Sequence, residues 1–313
     1  MPHTMNPPYL LFDVGGTDIK SALSDEAGNL LGIRRVPTRR GTPDPAASLI
    51  DQLHGLGSDL MAQSPLLVPQ AVGLLVCGIV DEDAGLGVFS ANLGWRDAPL
   101  REMASKAFAL PVGFGHDVST AGAAELRFGA GAALGTKVRN AVVLVIGTGI
   151  AAALFVDGHA VSAGGYAGEL GHAAVPVGFD CPCGAHGCLE TIGSAGAIAK
   201  RYTQASGRSV DGAREVLEAM ETGDPVAARI WNEAVEAIAF SIAQLCSSIA
   251  PEAVIIGGGL AQAGEALLEP LRRSLRNKLS YHREPLIVPA RLGQDAGLRG
   301  AYLKAAEARE VHP

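Results

Sequence analysis

Apolar residues along the chain fall into two kinds of run. Short blocks of β-branched and aliphatic residues predict strands at 9–14, 19–24, 30–37, 71–76, 112–115, 141–146, 150–156, 253–256 and 286–289. Between them apolar positions recur at helical spacing, which predicts helices over 44–62, 97–109, 118–128, 193–205, 212–220, 224–249, 264–280 and 295–310. The 40 glycines gather at the ends of strand-like blocks, where the chain must turn sharply into the next element. Asp224-Pro225 opens the longest helix with an N-cap carboxylate and a proline at the first helical position, whose missing N–H has no partner there in any case. This alternation of strands and helices is that of an α/β protein.

One strand-turn-strand block occurs twice. LLFDVGGTDIKSAL at 10–23 and VVLVIGTGIAAAL at 142–154 share Gly-Thr-x-Ile between two apolar runs, so that Thr17 matches Thr148. Two copies, one in each half, suggest a duplicated fold with a glycine-rich turn from each half turned to a shared cleft.

Composition narrows the classes of function. The chain has 313 residues, 48% hydrophobic and 18% charged, enough for two domains with separate cores. A net charge of -7 argues against unspecific attraction to nucleic acid or anionic lipid. The most apolar stretch, VVLVIGTGIAAALFV at 142–156, is too short to span a bilayer and is interrupted by Gly-Thr-Gly. MPHTMNPPY at the start has neither the charge nor the apolar core of a secretory signal. The expectation is a cytoplasmic protein with reduced cysteines, in which clustered thiols point to metal before disulfides.

Three glycine clusters suggest nucleotide chemistry. Turns at Gly15-Gly16-Thr17 and Gly147-Thr148-Gly149 expose backbone N–H groups that can surround phosphate oxygens. Asp13 just ahead of the first turn is placed to hold magnesium, directly or through water. A plain hairpin accounts equally for either turn alone. Gly257-Gly258-Gly259 follows a buried strand, where bare backbone would accept a purine ring.

Residues 168–190, GELGHAAVPVGFDCPCGAHGCLE, hold three of the five cysteines. Cys181, Cys183 and Cys188 with His172 upstream supply the four soft or borderline ligands of a tetrahedral structural zinc, with no position left for an activated water. The alternative is a set of small buried residues or a labile dithiol. His186 is the spare histidine, expected to be exposed, and Cys77 and Cys246 read as core residues.

DVGGTDIK, GELGH and CPCGAHGCLE together resemble the ROK family of bacterial sugar kinases and sugar-responsive repressors, over nearly the whole chain. The resemblance implies an actin-like, ribonuclease-H-like duplicated α/β fold of two domains flanking a cleft. The expected division is a small domain at 1–118, a large one at 119–297 with the zinc loop, and a final helix at 298–313 packing back on the first. It implies Mg-ATP as cofactor, held by Asp13, Gly15, Gly16 and Thr17, by Gly147, Thr148 and Gly149, and by Gly257, Gly258 and Gly259 on the adenosine side. It implies sugar contacts from Asn92, His116, Glu169, His172 and Glu190, with His172 bound to zinc through one ring nitrogen and to the sugar through the other. Asp117 matches the family's base, which takes the proton of the attacking hydroxyl.

The run Gly115-His116-Asp117-Val118-Ser119 departs from the family's Glu-Asn-Asp-Ala-Asn: His116 and Ser119 stand where asparagines are usual. Without the family match, Asp117 is equally an ordinary helix N-cap. Trp95 reads as packing. The activity implied is transfer of the γ-phosphate of ATP to the C6 hydroxyl of a hexose, glucose first. A kinase for fructose, allose, N-acetylmannosamine or N-acetylglucosamine, a polyphosphate-dependent enzyme, or a non-catalytic sugar sensor are the alternatives. The family's repressors carry a DNA-binding domain ahead of the kinase-like body, and twelve residues before Asp13 leave no room for one, so no nucleic-acid partner is expected. A homodimer or homotetramer is expected from the family.

Overall fold

The computed structural model describes residues 7–135 and 138–311. The chain divides into two compact units, one of Met1–Ala124, Ser162–Tyr166 and Gln294–Pro313, the other of Glu125–Val161 and Ala167–Gly293. The start of the chain through residue 6, and residues 312–313 of the expected returning helix, lie outside the described residues.

The first unit is built on β1 (Tyr9–Val14), β2 (Asp18–Ser24), β3 (Leu30–Pro37), β4 (Ala71–Val76) and, after a three-stranded meander of β5 (Ile79–Asp81), β6 (Leu86–Phe89) and β7 (Arg96–Ala98), β8 (Val112–His116). The main sheet has the order β3-β2-β1-β4-β8, antiparallel from β3 to β1 and parallel from β1 to β8. Helix α1 (Pro45–Gln63) starts at Asp44, whose carboxylate accepts the Ala47 N–H at 3.0 Å, and buries Leu49, Ile50, Leu53 and Leu60 on one stripe. It shares a core with Phe12, Leu74 and Leu100, the last from α2 (Leu100–Phe108). Helix α3 (Asp117–Phe128) follows β8 without a loop.

On the other face, the closing helix α10 (Ala296–Val311) packs through Leu298, Ala301, Tyr302 and Ala305 against Tyr9, Leu11 and Leu75. Its backbone lies directly on the sheet: a methyl at Gly73 would overlap the Ala301 carbonyl, and one at Gly113 the Lys304 carbonyl. Gly73→Ala must therefore push α10 off the sheet. Overpacking of this kind costs about 1–3 kcal/mol, and a lowered unfolding midpoint in urea with unchanged far-UV circular dichroism is the expected result.

The second unit repeats the plan. After the short α4 (Ala130–Ala133) come β9 (Ala141–Ile146), β10 (Ile150–Val156) and β11 (His159–Ala160), then α5 (Glu190–Gly193), α6 (Ala195–Ser206), α7 (Ala213–Glu221), α8 (Pro225–Ser248), β12 (Ala253–Gly257), α9 (Glu265–Arg276) and β13 (Leu286–Pro289). Its sheet, β11-β10-β9-β12-β13, has the same order and the same antiparallel and parallel pairings as the first. The duplication suggested by Thr17 and Thr148 is thus a duplication of sheet topology.

Helix α8 is capped as its sequence predicts, Asp224 accepting the N–H groups of Val226 at 2.8 Å and Ala227 at 3.2 Å, and Ile230, Trp231, Ile238 and Ile242 bury its length. Pro270 sits inside α9 and leaves the Ala266 carbonyl without its usual helical donor. The Trp231 indole N–H takes that carbonyl at 3.3 Å.

The predicted helix at 97–109 begins only at Leu100. Arg96–Ala98 instead pairs with β6, and Ala98, preceding Pro99, is driven toward extended backbone by the proline ring. The predicted helix at 264–280 ends at Arg276. Strands β5, β6, β7 and β11, two to four residues each, carry too little pattern to be predicted. Among the described residues no helix is long and apolar enough to cross a membrane.

Candidate functional site

In the first unit the β1–β2 hairpin sets the register that places Asp13 opposite Lys20, and the Lys20 ammonium lies 3.3 Å from the Asp13 carboxylate. The same ammonium donates to the Gln294 carbonyl at 3.1 Å, just ahead of α10. Asp13 itself rests against Gly297 in the first turn of α10, where any side chain would overlap its carboxylate. The turn between the strands is held from outside: the Thr38 hydroxyl donates to the Gly15 carbonyl at 2.9 Å, and the Thr38 N–H to the Thr17 carbonyl at 2.8 Å. Gly16 faces Asn92, which a Cβ on the glycine would approach to 3.2 Å, and Thr17 is exposed at the tip. Two predicted groups, the phosphate turn and a sugar-side asparagine, therefore lie side by side.

Asp117 stands at the junction of β8 and α3, its side chain 23% exposed. Burial, and the negative charge of nearby Asp13, push its carboxyl up to about 6, against the opposing pull of His116. Its Oδ1 accepts the Val118 N–H at 2.8 Å and lies 3.3 Å from His116 Nε2. The other ring nitrogen of His116, Nδ1, accepts the Ser119 N–H at 3.2 Å. Cys77 sits among these groups, hydrogen-bonded with Ser90, and burial beside Asp117 pushes its thiol up to about 12, so that it stays neutral.

Sequence reasoning missed the pair that holds this strand end. Glu82 accepts the His116 backbone N–H at 3.0 Å through one oxygen and the Lys304 ammonium of α10 at 2.7 Å through the other. Residues 82 and 304 are far apart in the chain and neither belongs to a motif. Lys20 was within reach, because a tight hairpin about Gly15 and Gly16 sets it opposite Asp13.

In the second unit the four residues predicted to bind metal converge. The ligand atoms of His172, Cys181, Cys183 and Cys188 all lie within 4.8 Å of one another. Cys181 Sγ is 3.7 Å from His172 Nδ1, and Cys183 Sγ is 3.7 Å from Cys188 Sγ. Bonds of about 2.3 Å to a tetrahedral zinc separate two sulfurs by about 3.7 Å, so the donor set and its spacing fit zinc. The hairpin that makes this possible bends at Gly184 and Gly187, both at positive φ, and the Cys181 N–H donates to the Ala185 carbonyl at 2.8 Å. His172 turns Nδ1 to the sulfurs, which leaves Nε2 facing away from them. His186 is exposed and pairs with Asp180 at 2.8 Å, outside the cluster.

The zinc loop and the second glycine turn are joined. Glu190, two residues past Cys188, accepts the Ile150 N–H at 2.8 Å, and its carboxylate lies against Gly149. The first N–H of α6, from Ala195, donates to the Gly147 carbonyl at 2.9 Å. Thr148 is exposed at the tip, as Thr17 is in the other unit, and Glu169 is exposed ahead of the 3-10 turn Leu170–His172. Gly258 adopts φ +81 with its α-carbon pressed on the Ile146 backbone, which excludes any side chain. Beyond it, Gly259, Leu260, Gln262 and Ala263 line a cavity of about 570 Å³ with Gly212 and Ala213.

Two sheets of identical order, each with a glycine-threonine turn between its first two strands, define the duplicated actin-like ATPase fold. The ROK family model matches residues 9–308, and the chain belongs to that family as a sugar kinase of the glucokinase-like kind. Glucokinase from Streptomyces coelicolor is 31% identical, covering 96% of this chain and 97% of the relative. N-acetylmannosamine kinase from Citrobacter koseri is also 31% identical, over 95% of this chain and 98% of the relative. The structure of a ROK family glucokinase from Streptomyces griseus in complex with glucose and AMPPNP superposes with a TM-score of 0.76 at 29% identity, covering 95% and 99% of the two chains.

Proposed function

We propose that this protein transfers the γ-phosphate of ATP to the C6 hydroxyl of glucose, with Asp117 as the base. The observation that carries this reading is Asp117 itself: a carboxylate raised to about 6, with one oxygen committed to the Val118 N–H, is suited to accept a proton near neutral pH. A sugar hydroxyl is a weak nucleophile until its proton has somewhere to go, whereas the phosphoryl group chiefly needs positioning and neutralisation of charge. The backbone of Gly15, Gly16 and Thr17 and of Gly147, Thr148 and Gly149 would supply N–H donors to the phosphates. The cavity beyond Gly257, Gly258 and Gly259 has room for adenosine, and the complex of the Streptomyces griseus relative with AMPPNP supports a nucleotide as the phosphate donor. Magnesium, when bound, neutralises phosphate charge. Asp13 is the carboxylate placed to hold it, through water while Lys20 keeps its contact.

Asn92 and Asp117 in the first unit, and Glu169, His172 and Glu190 in the second, are each able to donate to or accept from a sugar hydroxyl. Zinc on His172, Cys181, Cys183 and Cys188 would shape the loop without taking part in the reaction. With Nδ1 on the metal, His172 presents Nε2 to a hydroxyl in a fixed orientation. An N-acetylmannosamine kinase is the second reading, because that relative too is 31% identical to this chain over nearly its whole length.

The base assignment fixes a pH dependence. Asp117 works ionised and is lost as pH falls through about 6, so kcat/KM is expected to show an acid limb near pH 6. A limb near pH 4, the range of an ordinary aspartate, would count against a buried base. Turnover of glucose exceeding that of N-acetylmannosamine in an ADP-release assay would favour the first reading, and the reverse order the second.

A further inference from the structure

The neighbourhood of Asp117 holds a second arrangement that the reaction scheme has not used. His116 ends β8 and occupies the N-cap position of α3: its ring accepts the N–H of Ser119, three residues on, in the place where an asparagine or serine oxygen commonly serves. An imidazole nitrogen that accepts a hydrogen bond carries a lone pair, so the proton of the neutral ring lies on the other nitrogen. That nitrogen, Nε2, is the one 3.3 Å from Asp117 Oδ1. One ring nitrogen thus bonds to the backbone and the other lies beside Asp117, with the side chain 22% exposed.

Asp117 Oδ1 accepts the Val118 N–H and has His116 Nε2 3.3 Å away. The second oxygen is left for an incoming proton. The backbone at His116 is fixed in turn by Glu82, which Lys304 of α10 anchors at 2.7 Å. The other ionisable groups against Asp117 are Asp13 at the end of β1 and the Cys77 thiol beyond β4.

We propose that His116 is a positioning residue for the base: capping α3 through Nδ1 fixes the Nε2–H tautomer, and Nε2–H holds Asp117 Oδ1 so that Oδ2 meets the substrate hydroxyl. The role usual for a side chain at this position in the resemblance, a direct sugar contact, is thereby replaced by an indirect one. The inference rests on Asp117 being the base. No atom is transferred to His116; the proton leaving the hydroxyl stays on Asp117 Oδ2 until product departs.

The two roles make opposite kinetic predictions. A residue that orients the base acts in the transition state and lowers kcat, whereas a sugar ligand of uniform strength raises KM. His116→Ala is expected to lower kcat about 10-fold to 100-fold, with the sugar KM changed less than about threefold, and to move the acid limb of kcat/KM to higher pH as Asp117 loses a donor. His116→Asn restores a helix cap and serves as the folding control. It should unfold at the wild-type temperature yet keep most of the kcat loss, since an asparagine whose oxygen takes the place of Nδ1 puts its NH2 in the place of Cδ2, one bond short of where Nε2 stands beside Asp117.

A His116→Ala variant with normal kcat and a KM raised tenfold would overturn the proposal in favour of a sugar ligand. Full recovery of kcat in His116→Asn would overturn it in favour of a cap alone. Asp117→Asn, run in parallel, separates this from the underlying reading. If that variant is inactive while His116→Ala keeps kcat and its acid limb, only the positioning role fails; if Asp117→Asn retains turnover, the base assignment fails and takes the positioning role with it.

Discussion

Replacing Asp117 with asparagine is expected to cut kcat by about 100-fold to 10,000-fold, the usual worth of a general base, and at the same time to make the protein harder to unfold at pH 7. The two effects have one cause. The folded protein raises this carboxyl from 3.8 to about 6, so the fold disfavours its charged form. Below pH 4 the group is protonated in both folded and unfolded chains and costs nothing. Between pH 4 and 6 the unfolded chain ionises first and the penalty grows; above 6 it is complete. A shift of that size corresponds to about 1–3 kcal/mol, which the neutral amide avoids. Asp117→Asn should therefore gain thermal stability over wild type at pH 7 and show little or no gain at pH 4. A variant that is inactive but less stable at both pH values would mean that Asp117 supports the structure and is not strained by its task.

The second large effect concerns the zinc loop. Cys188 is 1% exposed and contributes one corner of the ligand set, with its Sγ 3.7 Å from that of Cys183 and 3.6 Å from the His172 carbonyl. Cys188→Ser is expected to lose the metal entirely by elemental analysis and to free the loop from Glu169 to Glu190. Two of the proposed sugar contacts, Glu169 and His172, then lose their fixed places, and hydrogen bonds involving charged groups contribute about 1.5–3 kcal/mol each. The sugar KM should rise at least about tenfold, while ATP affinity changes less, because the turns at Gly15–Thr17 and Gly257–Gly259 lie outside the loop and only the turn at Gly147–Gly149 is braced by Glu190. Prolonged chelation of the wild-type protein should reproduce the effect, and restored zinc should reverse it in the wild type but not in the variant. Full metal content in Cys188→Ser would show that the ligand set is wrong.

These expectations lean on features of different visibility. The glycine turns were legible because a short strand, a glycine pair and a second strand form a local unit, and its recurrence at Thr148 exposed the duplicated sheets. The cluster of His172 with three cysteines was legible because soft ligands so close in sequence have few other uses. The helix cap at Asp224 followed from its neighbouring proline.

What escaped was non-local or depended on rotamers. Nothing near Glu82 announces that Lys304 will reach it from the last helix. Ser162–Tyr166 belongs to the first unit, with Gly165 packed against the Val80 backbone, a contact between residues distant in the chain. His116 was legible as a departure at a site position, but not as a residue that caps α3 with one nitrogen and sets the other beside Asp117, because that depends on which way the ring turns. The meander β5–β7 escaped because strands of three or four residues are too short for alternation to register.

The most direct test of the central claim is a coupled ADP-release assay of the zinc-loaded protein with Mg-ATP and glucose, with the product identified by its phosphate position. The account predicts steady release of ADP matched mole for mole by glucose 6-phosphate, and its disappearance in Asp117→Asn. Folded, zinc-replete protein that releases no ADP with glucose or with N-acetylmannosamine, or wild-type rates from Asp117→Asn, would contradict it.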